Sequence, residues 1–275
     1  MTTNDAVALA CEEADADARP RTERALSRWN VRLSETEVAG LSCQVIEPSD
    51  GPSRSTMLYF FGGGFVTGSP ENDLSITAVL ASLGSMRIIA PRYGLSPEQP
   101  FPSAIKQSFE VYRTLAEKHP LTVCGESAGG GLALAVLQKA IRANLPLPQR
   151  IALLSPWCDL REAATAKSED VDDPMLDAES LRFYTEAYLS GASADDPDAS
   201  PILASYNPDW PDTLLTTGSR DRLRHMVHAL ALKIGAGGGQ CDVIDVPNMP
   251  HVFEAYDENP EALETLKRIA SFLKT

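Results

Sequence analysis

The stretch that most constrains this chain is Leu121 to Gly131, which reads Leu-Thr-Val-Cys-Gly-Glu-Ser-Ala-Gly-Gly-Gly. An apolar, β-branched run ends at Gly125, Ser127 stands between Gly125 and Gly129, and a helical pattern opens at Leu132. This is G-x-S-x-G in the strand, turn, helix setting that gives the motif its chemical meaning. So tight a turn admits only residues without a side chain at Gly125 and Gly129, and it pushes the serine into a strained, exposed pose with its hydroxyl free. Ser127 is the candidate nucleophile. Without partners, the same five residues read as a Gly/Ser turn that starts a helix.

The flanking pattern is α/β. Residues 1 to about 40 carry Ala25, Leu26, Trp29 and Leu33 at helical spacing and read as one or two helices. Strand patterns follow at Ser42–Glu47 and Thr56–Phe61, the second running straight into Gly62-Gly63-Gly64. A helix over 73–83, capped by Asn72 or Asp73, and a strand over Met86–Ala90 come next, then a helix over 103–117. Beyond the serine turn lie a helix over Leu132–Ala143 and a strand over Ile151–Leu154. Alternating strands and helices imply parallel strands with helices on both faces. Cys158 to Pro211 breaks the rhythm, being acidic and Pro-punctuated with one helix around 178–189, and an insertion of that length in a compact domain is commonly a functional lid. Regularity returns with a strand over 213–217, a helix over 223–234, a strand over 242–246 and a last helix over 261–272. At 275 residues the chain has the length of one large domain, 1–275.

A serine nucleophile needs a base, an acid to orient the base, and donors for an oxyanion. There are four histidines. His119 precedes Pro120 at the end where its strand enters the sheet; His225 and His228 share a helix. His251 follows the last strand, at the C-terminal sheet edge where open α/β sheets place their chemistry. The strand before it exits into Gly218-Ser-Arg-Asp221, so Asp221 is the candidate acid, with Asp242 and Asp245 as weaker rivals inside a strand. The order Ser127, Asp221, His251 is that of an α/β-hydrolase. Asp221, His225 and His228 could also face one another on a helix as a metal cluster, but no motif such as H-E-x-x-H accompanies them, and no metal or cofactor is expected. The amide of Ala128, with amides from Gly62 to Gly64, would serve the oxyanion.

The net charge of −14 leaves no basic stripe, which argues against a nucleic-acid partner. No apolar run reaches membrane-spanning length, and the start lacks a basic, apolar leader. Five scattered cysteines without a C-x-x-C pair read as reduced thiols, and the expectation from these features is a cytoplasmic protein.

With these residues in view, the chain resembles the hormone-sensitive lipase group of α/β-hydrolase esterases, from about Thr56 to the C-terminus. The resemblance rests on Gly125-Glu-Ser-Ala-Gly-Gly130, Arg92-Tyr-Gly-Leu-Ser-Pro-Glu-Gln-Pro-Phe-Pro102, Ser155-Pro-Trp-Cys-Asp-Leu160, Ser200-Pro201, and the pieces around Asp221 and His251. It implies an eight-stranded, mostly parallel sheet, a cap from about 1–40 and about 160–210, and oxyanion donors at Gly63 and Gly64. It also implies a serine carboxylesterase acting on small to medium esters through an acyl-enzyme. A lactonase or acyltransferase on the same triad stays open, as does a ligand receptor on a hydrolase scaffold; the plant gibberellin receptors have lost the triad histidine that is present here as His251. The substrate is then a small ester or lactone, and a homodimer is compatible with the family. Phe65, Trp157, Phe183 and Tyr184 are candidates to line the pocket, although such aromatics also serve as core or cap packing. Three positions depart from the family: Phe61 replaces the histidine before the glycines, Arg92 replaces an aspartate, and His225 replaces an acidic residue.

Overall fold

The computed structural model describes residues 3–256 and 258–274. Helix α1 (Thr3–Arg28) leads directly into a hairpin of β1 (Val31–Val38) and β2 (Leu41–Pro48). The expectation of one or two helices over residues 1 to about 40 holds for α1 and fails from Val31 onward. Val-Arg-Leu-Ser-Glu-Thr-Glu-Val is an edge strand, mostly exposed, so it lacks the buried face by which strands announce themselves. The hairpin closes through Ala39 and Gly40, both at positive φ, as a two-residue turn between twisted strands requires.

The chain continues through β3 (Ser55–Phe60), α2 (Leu74–Gly84), β4 (Met86–Pro91), α3 (Ser103–Ala116), β5 (Leu121–Glu126), α4 (Ser127–Arg142) and β6 (Arg150–Leu154). The long insertion holds a short helix, α5 (Glu162–Ala166), and α6 (Ala178–Leu189), whose N-cap Asp177 accepts the Ser180 N–H at 2.7 Å. Then follow β7 (Asp212–Gly218), α7 (Arg224–Ala236), β8 (Cys241–Val246) and α8 (Pro260–Leu273). Helix α4 starts at Ser127 itself, five residues before the expected Leu132, because the four small residues after the serine are helical although they carry no apolar periodicity.

The eight strands form one sheet in the order β1-β2-β4-β3-β5-β6-β7-β8, with β2 antiparallel to both neighbours and every other pairing parallel. From β3 the chain crosses to β4 on one side, then jumps back past β3 to β5 and marches on through β6, β7 and β8. Right-handed crossovers in opposite directions put α2 on one face and α3, α4 and α7 on the other. Helix α8 returns to pack on α2, and α1 lies outside α2. The neighbouring strands β3 and β5 therefore send their exits to opposite faces, which opens a crevice beyond their C-terminal ends. The Gly62–Gly64 stretch leaves β3 there, and Ser127 leaves β5.

The sheet's middle is apolar on both faces: β5 is buried at every position, and Met57, Leu58, Tyr59 and Phe60 of β3 are fully buried. A smaller cluster of Val7, Val66 and Ala187, joined by Cys11, Phe183 and Tyr184, ties α1 and α6 to the loop after β3. Among the described residues no helix is long and apolar enough to cross a membrane.

Candidate active site

Ser127 sits at the β5–α4 junction with φ at +49°, a left-handed value that a non-glycine residue adopts only where its surroundings compel it. The compulsion is close packing. A Cβ at Gly125 would lie 2.6 Å from the Gly129 carbonyl, and one at Gly129 would lie 2.1 Å and 2.3 Å from the carbonyls of Phe60 and Phe61. Both glycines are thus required by the approach of α4 to β3 and β5. The serine is less open than the motif suggests, being 9% exposed, because it lies at the bottom of a pocket.

The ends of β7 and β8 bring the other two groups to it. The loop after β8 crosses the end of β7 so closely that a Cβ on Gly218 would meet the Met249 carbonyl at 1.9 Å, and the Arg220 N–H donates to that carbonyl at 3.0 Å. His251 is thereby hung beside Asp221. His251 Nε2 is 2.9 Å from Ser127 Oγ, and His251 Nδ1 is 2.9 Å from Asp221 Oδ1. Asp221 is 1% exposed and also accepts from the Thr217 hydroxyl at 2.7 Å and the Leu223 N–H at 2.9 Å. Burial pushes the Asp221 carboxyl up, but the charge of His251 and hydrogen bonds from His251, Ser155 and Thr217 outweigh it and leave the carboxyl below its ordinary range. For His251 burial works downward, and the Asp221 charge and hydrogen bond, with smaller help from Asp173 and Glu254, hold the imidazole above its ordinary value.

The loop after β3 forms the opposing wall. Gly63 and Gly64 have φ of +98° and +64°, and added Cβ atoms would lie 2.3 Å from the Thr67 carbonyl and 2.4 Å from the Tyr184 ring. The Gly63 carbonyl accepts the Val66 and Thr67 N–H groups at 3.1 Å and 2.8 Å, which closes the loop on itself. Where the family histidine is absent, Phe61 stacks on Tyr93 with ring centroids 4.2 Å apart. Below the loop, Glu126 packs so tightly on Gly62 that a Cβ there would lie 1.8 Å from its carboxylate. Desolvation and the neighbouring Asp73 push the Glu126 pKa far up, against the pull of the Gly62 N–H. Desolvation likewise raises Asp73, to about 6, although Tyr59 donates to it at 2.8 Å.

The pocket measures about 190 Å³ and is lined by Ser127, His251, Gly63, Gly64, Trp157 and Tyr184, together with Arg21, Asp73, Glu126, Met175, Leu176, Leu181, Val252, Ala255 and Tyr256. Of the four aromatics expected to line it, Trp157 and Tyr184 do. Phe65 instead stacks on Tyr188 at 3.9 Å in the core, and Phe183 packs in the α1–α6 cluster. Ala128 is fully buried in the first turn of α4. Arg21, Asp73 and Tyr256 come from three distant segments and carry no local motif, so no sequence signal marks them.

The remaining candidates are accounted for elsewhere. Asp245 accepts from Arg224 and from His228, each at 2.8 Å, on the flank of α7. His225 is half-buried on α7, its pKa lowered by burial. His119 lines a larger groove of about 600 Å³ with Tyr112, Leu121 and Pro146, at the edge where strands enter the sheet and away from Ser127.

With this geometry in place, comparison with known proteins decides the family. A family model described as the alpha/beta hydrolase fold matches residues 57–255. The chain belongs to the α/β-hydrolase fold family. This hydrolase is 30% identical over 265 residues to an acetyl-hydrolase of Streptomyces hygroscopicus, covering 94% of this chain and 88% of that one. It is 27% identical to an ethyl acetate hydrolase of Pseudomonas putida, covering 75% and 69% of the two chains. Among solved structures, EstE7, a hormone-sensitive lipase homologue from a metagenome library, superposes with a TM-score of 0.84 at 30% identity over 99% of this chain and 98% of that one. A hormone-sensitive lipase from a metagenome library gives 0.85 at 29% identity over 100% and 98%. Within the α/β-hydrolases, the chain falls in the hormone-sensitive lipase group.

Proposed function

We propose that this ester hydrolase works through Ser127 as nucleophile, His251 as general base and Asp221 as the carboxylate that orients it. The observation that carries this reading is the unbroken chain of two 2.9 Å contacts from Ser127 Oγ through the imidazole to Asp221, opening into a pocket bounded by Gly63 and Gly64. His251 Nε2 takes the Ser127 proton as Oγ attacks the ester carbonyl carbon. The Asp221 contact to Nδ1 selects the tautomer that leaves Nε2 free to accept, and it stabilises the imidazolium that results. The new oxyanion is held by the amides of Gly63, Gly64 and Ala128, where side-chain-free backbone and the start of α4 leave donors facing the carbonyl oxygen. Collapse of the tetrahedral intermediate expels the alcohol, which takes the proton from His251. A water activated by the same imidazole then frees the acid and restores Ser127.

The substrate is a small ester. A pocket of about 190 Å³ lies below the range of roughly 300–1,000 Å³ that accommodates drug-sized ligands, and the relatives named above include an acetyl-hydrolase and an ethyl acetate hydrolase. The residues that narrow the pocket come from α1 and from the insertion between β6 and β7, which we read as a cap on a single domain: Arg21 from the first, and Met175, Leu176, Leu181 and Tyr184 from the second. Turnover of p-nitrophenyl acetate and labelling by a fluorophosphonate probe test the assignment. Both are expected in the native chain and absent from Ser127→Ala; equal turnover by the two proteins defeats it.

A further inference from the structure

The turn that carries Asp221 also carries Arg222, which is 5% exposed and whose guanidinium is threaded into the cap. Its Nε donates to the Leu176 carbonyl at 2.7 Å, its Nη1 to the carbonyls of Ser168 and Glu169, the latter at 3.3 Å, and its Nη2 to the Val171 carbonyl. Residues 168–176 lie between α5 and α6, where most backbone carbonyls have no helix or strand partner. Carbonyls buried in such a stretch need donors from elsewhere. A planar fork of five N–H groups meets several at once in fixed directions, which a lysine ammonium cannot do.

A carboxylate on the same stretch adds a second tie, through backbone N–H groups. Asp173, 9% exposed, accepts the backbone N–H of Arg222 on Oδ2 at 2.9 Å. Its Oδ1 accepts the Met175 N–H at 3.0 Å and the His251 N–H at 3.4 Å. One carboxylate therefore joins the residue after Asp221, the backbone of His251 and the residue that begins the pocket wall. Met175 and Leu176, the two residues at the end of this stretch, both line the pocket with Ser127.

We propose that Arg222 is a specificity-determining residue: by clamping residues 168–176 to the Asp221 turn, it fixes Met175 and Leu176 as a wall that confines the pocket to short-chain esters. The inference rests on the esterase reading of Ser127, since the wall limits substrates only if that serine is the nucleophile. Without the clamp the Ser168 and Val171 carbonyls keep only the N–H groups of Val171 and Asp173, each at 3.1 Å, and the Glu169 and Leu176 carbonyls lose the guanidinium, so the wall retreats and longer chains enter. Arg222 reaches the pocket through these residues and touches no reacting atom, which makes chain-length dependence, rather than loss of rate, its signature.

The test compares native protein, Arg222→Met and the milder Arg222→Lys on p-nitrophenyl acetate, butyrate and octanoate, with kcat and KM separated. The ratio of kcat/KM for octanoate over acetate is expected to rise about tenfold or more in Arg222→Met, mainly through a lower KM for octanoate, with Arg222→Lys in between. A Glu-specific protease should also cut the folded variant at Glu169 several-fold faster than the native chain, a readout independent of turnover. Equal loss on all three esters, or an unchanged ratio with unchanged cleavage, overturns the proposal. Should Arg222→Met not fold, the same ratio in Arg222→Lys decides. Failure of the Ser127 reading is distinguishable, because native protein would then neither turn over esters nor take up the fluorophosphonate.

Discussion

Tyr93 stacks on Phe61 with the rings 9° from parallel, and its hydroxyl donates to the Phe61 carbonyl at 2.5 Å. One side chain thus supports both the ring and the backbone of the residue that leads into Gly62-Gly63-Gly64. Phe61 occupies the place of the family histidine, and the loop is braced by a stacked aromatic pair plus one buried hydrogen bond. Tyr93→Phe keeps the ring and deletes the donor, leaving a buried carbonyl unpaired. The expected result is a stability loss of about 1–3 kcal/mol, read as a shifted urea midpoint, together with a fall in kcat larger than any change in KM. A variant that loses stability while kcat holds would show that the hydroxyl supports the fold and not the loop.

The pH profile follows from the pair at the centre of the site. In the proposed mechanism His251 must be neutral to accept the Ser127 proton, and it is held above its ordinary value by Asp221 against the opposing effect of burial. The acid limb of kcat/KM should therefore have its midpoint above about 6.5, the ordinary imidazole value. Asp221→Asn removes the charge and presents the wrong partner to Nδ1, so kcat should fall by about four orders of magnitude, with the residual midpoint moved to lower pH. Stopped assays on p-nitrophenyl acetate from pH 5 to 9 decide it; a native midpoint well below the ordinary imidazole value would overturn the coupling.

Much of this site is legible in the primary structure because its parts follow local rules. The glycines at 125 and 129 are demanded by contacts under 3 Å, and Asp221 and His251 follow successive parallel strands, so chain order gives their sheet edge. What escapes lacks a local signature. Val31–Val38 is a strand held by pairing with β2 and not by a buried face, and its charged alternation resembles the polar helix before it. Phe65 and Phe183 are aromatic residues beside the crevice, and only packing decides that one turns into the core and the other toward α1. Arg222 reads as a surface cation in a Ser-Arg-Asp-Arg run until residues 168–176 are folded over it.

Glu254 offers a stability test away from the reacting atoms. It is fully buried, its carboxylate takes a hydrogen bond from Thr216, and burial above all raises its pKa from 4.5 to about 7. A folded value above the unfolded one means that the native state holds the proton longer. The contribution of this group is then complete below about pH 4.5 and is lost as pH rises through about 7. A rise of that size corresponds to roughly 3 kcal/mol between the two limits. Glu254→Gln stays neutral throughout, so its stability relative to native should be higher at pH 8 than at pH 5, measured as urea midpoints. An identical difference at both pH values would place the carboxyl in contact with water on unfolding and folding alike.

Gly64 and Tyr184 give the sharpest test of the proposed oxyanion loop. The Gly64 φ of +64° disfavours any side chain, and a Cβ there would lie 2.4 Å from the Tyr184 ring, which itself lines the pocket. Gly64→Ala must therefore move either the loop or the ring, and under the proposed mechanism a displaced amide no longer meets the developing oxyanion. Loss of one such donor lowers kcat about 10²- to 10³-fold, and affinity for a trifluoromethyl ketone, which forms a tetrahedral adduct, should fall in parallel. In the Tyr184→Ala background the clash is relieved while the backbone strain remains. Gly64→Ala should then cost less kcat than it does alone, without becoming neutral. If its effect is the same in both backgrounds, the amide is displaced by the positive φ alone and the Tyr184 ring has no part in holding the loop.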